Sequence, residues 1–159
     1  MHGSTNLPYI RHEPFTADDA SEFVGGQVVK FTAGSQTLLI GDCVYLSAAN
    51  TVDKSSTTAN YVSYIGVVVG GTSTYFQCGS NDSDVGVTAA LTGKEVLVQI
   101  SGVAWVPSAA AFDLGDQLQV ATTAGAVDDS TTTANCYVGV ALSAAGGAAE
   151  SVRMLIWHG

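Results

Sequence analysis

Few residues in this chain of 159 are of a type and placement that could perform chemistry. Its three histidines, His2, His12 and His158, all lie near a terminus, where no neighbouring residue fixes a ring for proton transfer. No Ser-centred nucleophile elbow, HExxH pair or Gly-rich phosphate loop occurs, so the expectation is of no catalytic residue and no bound cofactor. The glycine pairs Gly25-Gly26, Gly70-Gly71 and Gly146-Gly147 read as connectors between strands. The segment NDSDVG places Asp82 and Asp84 two apart, as in an oxygen-rich cation loop. An EF-hand loop also needs an acid six residues beyond its glycine, and Thr92 stands there. A polar turn is the simpler reading, and no metal site is assigned. Cys43, Cys78 and Cys136 form no CxxC pair, so they read as buried free thiols of a protein folded in a reducing cytoplasm.

Composition narrows the function classes further. The balance of 14 acidic to 5 basic residues, a net charge of −9, cannot supply the cationic patch that phosphate binding requires, and nucleic acid is excluded as a direct partner. No apolar run approaches the ~20 residues of a membrane-spanning helix, and no N-terminal signal is evident, so a soluble, non-exported protein is expected. Only 12% of residues are charged, leaving a surface of small and hydroxyl side chains suited to close packing against neighbours.

The elements that must position any site are strands. GQVVKFTA, TLLIGDCVYL, YVSYIGVVV, KEVLVQISGVAWV, DQLQVA, CYVGVAL and SVRMLIW are short, rich in β-branched and aromatic residues, and bounded by Gly, Asn, Asp or Ser. The expected class is all-β, a small antiparallel β-barrel or sandwich. Helical spacing is confined to one short turn near 17–23 and the alanine patch at Ser108 to Phe112. An internal repeat organises the rest: about 41–69 and 115–142 share a Gly-Asp turn, a strand, a Ser/Thr loop and a strand with a central glycine. Val52-Asp53 and Thr57-Thr58-Ala59-Asn60 return as Val127-Asp128 and Thr132-Thr133-Ala134-Asn135. The expected organisation is therefore an extended N-terminal arm over residues 1–24 and a single β domain over 25–159 built from two repeated halves.

The order of these pieces resembles the capsid cement, or head-decoration, proteins of tailed phages. The resemblance rests on Gly41-Asp42, Ile65-Gly66-Val67, Val96 to Val103 with Pro107, and Ala109 to Ala111. It continues through Gly115-Asp116, Gly139-Val140-Ala141-Leu142 and Val152-Arg153-Met154. It covers about residues 25 to 157. What it implies is a structural protein on the outer surface of an icosahedral head, made in the host cytoplasm. It also implies binding to the major capsid protein and self-association, often as a homotrimer. Another virion β module (tail, baseplate or fibre) and a carbohydrate-binding β-sandwich are the alternatives.

On that reading the residues of interest are adhesive. Leu7, Tyr9, Ile10 and Phe15 make the arm too apolar for a solvated tail, and Trp105 and Trp157 stand at strand ends where an indole can be half buried. Arg153 is alone in the apolar run VRMLIW. Facing inward it would need a carboxylate; facing outward it is an interface anchor.

Overall fold

A computed structural model describes residues 26–56, 63–73, 84–129 and 137–157, all strands and their connections, with no helix among them. The arm with Leu7, Tyr9, Ile10 and Phe15, the three histidines, Cys78, Cys136 and Asp82 lie outside the described residues.

The first half comprises β1 (Val28–Ala33), β2 (Leu38–Leu39), β3 (Cys43–Ala48), β4 (Thr51–Lys54), β5 (Tyr64–Gly71), β6 (Thr88–Ala90) and β7 (Glu95–Gln99). Five of these close into a barrel in the order β1-β4-β3-β5-β7, β7 pairing back onto β1; β2 and β6 form a separate two-stranded ladder. The expected antiparallel barrel has one parallel seam, where Thr32 and Ala33 of β1 lie beside Thr51 and Val52 of β4. Alternation aims Phe31, Ala33, Val44, Val52, Val68, Val96 and Val98 into the barrel. Each fully buried valine there contributes about 1.5–3 kcal/mol.

The second half comprises β8 (Gly102–Pro107), β9 (Gln117–Val120), β10 (Val127–Asp129), β11 (Tyr137–Ala141) and β12 (Ser151–Ile156), in the order β10-β9-β11-β12-β8. A single parallel bridge between Ser108 and Val127 draws its two edges together. This order is that of the first barrel strand for strand, with β8, β12, β11, β9 and β10 standing for β1, β7, β5, β3 and β4. The Ser108–Val127 bridge repeats the Ala33–Val52 seam, and the Phe112–Ala145 bridge repeats the β2–β6 ladder. The alanine patch is thus non-helical, a bend at Ala109–Ala110 held by a bridge at each end.

The Gly-Asp turns coincide in detail. The Asp42 carboxylate accepts the Leu39 N–H at 2.7 Å, and that of Asp116 accepts the Asp113 N–H at 2.8 Å. Gly41 and Gly115 both have left-handed backbones, φ 93° and 90°, and each donates its N–H to the last part of the following long strand, at Val68 or Ala141. Gly70-Gly71 departs from expectation. It ends β5 instead of connecting strands, because a Cβ at Gly71 would stand 2.5 Å from the Ala89 carbonyl oxygen. Gly102 does make the tight bend between β7 and β8, with φ 86°.

The second half, a five-stranded sheet whose edges meet at the Ser108–Val127 bridge, docks on the first barrel. The β9–β10 hairpin presses its tip, Gly125, against the Gly-Asp turn of the first barrel. Gly125 donates its N–H to the Ser55 carbonyl (2.8 Å) and accepts the Cys43 N–H (2.9 Å). Beside it, Lys54 Nζ lies 3.2 Å from a carboxylate oxygen of Asp42, both side chains largely buried. Cys43, Tyr64 and Val67, on the outer side of the first barrel, join the core cluster of the second.

Two outcomes test this junction. A Cβ at Gly125 would strain a left-handed backbone (φ 81°) and collide with the Asp42 carboxylate, whereas one at Gly115 meets only open space. Gly125→Ala is therefore expected to cost about 1–2 kcal/mol more in urea unfolding than Gly115→Ala, since both share the backbone penalty. Burial raises the Asp42 pKa, opposed by the Leu39 N–H and by Lys54. Removing the cation with Lys54→Met raises it further. The variant keeps wild-type stability below the ordinary carboxylate pKa, where Asp42 is protonated in both folded and unfolded chains. It loses stability as pH rises through the raised folded value, reaching a deficit of about 3 kcal/mol at neutral pH. Paired urea melts at pH 3 and pH 8 measure the difference.

Candidate functional site

Titratable groups with the largest perturbations sit at the barrel junction. The Cys43 thiol is pushed well above its ordinary range, chiefly by burial and then by the Asp42 charge, so it is neutral and unreactive. Tyr64 is likewise raised by burial and by its contact with Cys43. These groups are packed into the hydrophobic cluster that joins the two halves. Asp84 opens the turn beside Ile40, its carbonyl accepting the Val87 N–H at 3.0 Å, and among the described residues no cluster of His, Cys, Asp or Glu is suited to a metal ion.

A different arrangement occupies the outer face of the second barrel. In β12, Val152, Met154 and Ile156 point into the core, so strand alternation turns Arg153, Leu155 and Trp157 outward. Register then builds rows across the sheet. Val103 of β8, Leu155 of β12 and Val140 of β11 stand side by side. In the next row Trp105 pairs with Arg153, whose carbonyl accepts the Leu142 N–H at 2.8 Å. Trp105 is half-buried, while Leu142, Leu155 and Trp157 are 37%, 41% and 44% exposed. Such a run of apolar side chains on one sheet face is what a protein interface offers.

Arg153 lies at the centre of these rows. Its backbone N–H is satisfied by the Ser143 hydroxyl at 2.9 Å, but its side-chain Nε is buried with no hydrogen-bond partner among the described residues. The salt bridges among those residues are Lys30–Glu95 and Lys54–Asp42, and neither involves it. An arginine on the outward side of such a face, in no salt bridge among the described residues, is suited to pairing with a partner's carboxylate. Three interface residues named from the sequence, Trp105, Arg153 and Trp157, thus lie on one sheet, the first two as direct neighbours. Sequence reasoning passed over Leu155, Leu142, Val103 and Val140. Period-two alternation through VRMLIW was the signal that could have found Leu155.

Comparison with known proteins agrees with this architecture. A family model described as phage cement protein matches residues 66–156, a span that begins within β5 and contains every strand of the second barrel. No protein in the curated set matches the sequence. Among solved structures, the fold is similar to the N base of the head fiber protein gp8.5 of bacteriophage phi29. The TM-score is 0.54 at 12% identity, over 84% of this chain and 96% of that one. At that identity the likeness is one of fold. The family match covers more than half of the sequence and makes this a structural protein of the phage virion that binds the capsid: the chain belongs to the phage cement protein family.

Proposed function

We propose that the protein decorates the outer surface of the phage head as a homotrimer. In this reading it grips the major capsid protein through the β8-β12-β11 face and braces the shell without making or breaking bonds. The observation that carries the reading is Arg153, on the outward side of an otherwise apolar sheet face beside Trp105 and in no salt bridge among the described residues. A surface of this kind gains affinity only when a partner supplies both apolar cover and an acceptor. The three strands of the face lie within the span shared with the cement family. The net charge of −9 favours the outside of a DNA-filled shell over its inside. A fold likeness to the base of a head fiber supports the same location. Function is then binding free energy multiplied by symmetry, since a trimer engaging three equivalent sites gains by effective concentration. The shifted thiol, phenol and carboxyl of the junction fit a structural part and no enzymatic one, being spent on joining the two barrels.

The test is binding of the purified full chain to heads that lack it. Wild type is expected to saturate them. Arg153→Glu is expected to bind at least about tenfold more weakly, as is usual for a central arginine anchor, with an unfolding midpoint close to wild type because the side chain leaves no core cavity. Failure of the wild-type chain to bind such heads, or binding indifferent to Arg153→Glu and Leu155→Asp together, would sink the proposal.

A further inference from the structure

The junction between the barrels has a socket and a plug, and the internal repeat duplicates both. The socket is the Gly-Asp turn end of the first barrel, Gly41, Asp42, Cys43 and Lys54. The plug is the hairpin tip of the second barrel, Gly125. Strand equivalence fixes the counterparts. Asp129 of β10 faces Leu118 as Lys54 of β4 faces Val44, so a second socket consists of Gly115, Asp116, Gln117 and Asp129. The second plug is the β3–β4 hairpin tip, where Asn50 has φ 56°, the left-handed backbone that Gly125 has in the first.

Among the described residues only one of each is used. Gly41, Cys43 and Gly125 are buried, whereas Gly115, Gln117 and Asn50 are exposed. Ile40 is 4% exposed, but its counterpart Leu114 is 69% exposed, the most exposed large apolar residue described. The second socket is an open polar notch lined by Gly115, Asp116, Gln117 and Asp129. The free plug is joined to β1 next to Lys94: Thr32 donates its N–H to the Asn50 carbonyl and Ala33 donates to that of Lys94, whose side chain is exposed.

We infer that copies of this chain associate head to tail, the Asn50 hairpin of one copy entering the Gly115–Gln117 and Asp129 notch of the next. This deepens the self-association proposed above and rests on it. The chemistry of the ends is complementary. In the occupied socket Lys54 neutralises Asp42; in the free one Asp129 stands where the lysine would be, so two carboxylates, Asp116 and Asp129, meet in the notch. Burial, the hydrogen bond and charge of Asp128, and then the charge of Asp116 raise the Asp129 pKa, so the notch gathers negative charge with no cation beside it among the described residues. The end that would enter supplies donors. Asn50 offers an amide where Gly125 has no side chain, and the shorter Asp129 leaves room for it. Lys94 follows Gly93, the counterpart of Ala149, which lines the occupied junction with Lys54. Such a contact joins different surfaces of identical molecules. It therefore closes into a ring or runs on as a fibre, and three copies closing make the trimer.

Light scattering of the full chain comes first, and its expected result is a mass of three copies. A solitary molecule at every concentration overturns both this inference and the trimer. The paired variant Asn50→Cys with Gln117→Cys is then oxidised and run without reductant, beside each single variant. A covalent three-copy species unique to the pair is expected. A trimer in light scattering whose pair fails to crosslink leaves the trimer standing and overturns the head-to-tail contact. Asp129→Lys supplies a second reading, because it rebuilds within one chain the ion pair seen at Asp42. It is expected to release monomers with an unfolding midpoint no lower than that of wild-type monomer. Retention of the wild-type mass by that variant would equally reject the inference.

Discussion

The contact of Gly125 with the Gly-Asp turn of the first barrel is the constraint on which the molecule's shape depends. Two backbone hydrogen bonds, to Ser55 and from Cys43, extend the strand pairing of one barrel into the hairpin of the other. The geometry leaves no room for a β-carbon at the tip. Around it the buried Asp42–Lys54 pair and the Cys43, Tyr64 and Val67 cluster turn two repeated units into one body. A buried ion pair is a poor source of net stability, but it fixes which geometry is tolerated, because any other docking strands a charge. The relative placement of the two outer faces follows from this one joint.

Much of this was legible in the sequence, for identifiable reasons. Strand alternation is a local property, so the cores around Val96-Val98 and Val152-Met154-Ile156 could be read from period two alone. Gly41-Asp42 and Gly115-Asp116 announced the repeat because a left-handed glycine followed by a capping carboxylate is a local solution, reached twice. What could not be read is non-local. The parallel seam between β1 and β4 joins strands far apart in the chain, and no residue type marks it. Gly71 looked like a connector because the chain around it carries no sign of the Ala89 carbonyl that excludes a side chain there.

The candidate site shows the same division. Trp105, Arg153 and Trp157 stood out as residue types, and their strands could be named. That Trp105 lies opposite Arg153 depends on the register of β8 against β12, which the sequence leaves open until the sheet is assembled. Leu155 and Leu142 look like core residues by composition. Only the facing of Met154 into the barrel turns them outward.

Duplication explains why such a protein would be adhesive at its ends as well as on its face. A repeated unit that stacks on its twin carries a donor end and an acceptor end, and a pair of units satisfies one of each and leaves one of each over. In the inner joint the tip is glycine and the socket holds its own cation. At the outer ends the tip is asparagine, the socket holds carboxylates in place of the lysine, and Leu114 is bare. Those substitutions are of the kind that keep an outer joint from being a copy of the inner one. In the proposed contact a monomer's free ends would therefore not compete for its own junction. In the proposed assembly the sheet face around Arg153 would serve the shell and the ends around Asn50 and Asp129 the next copy.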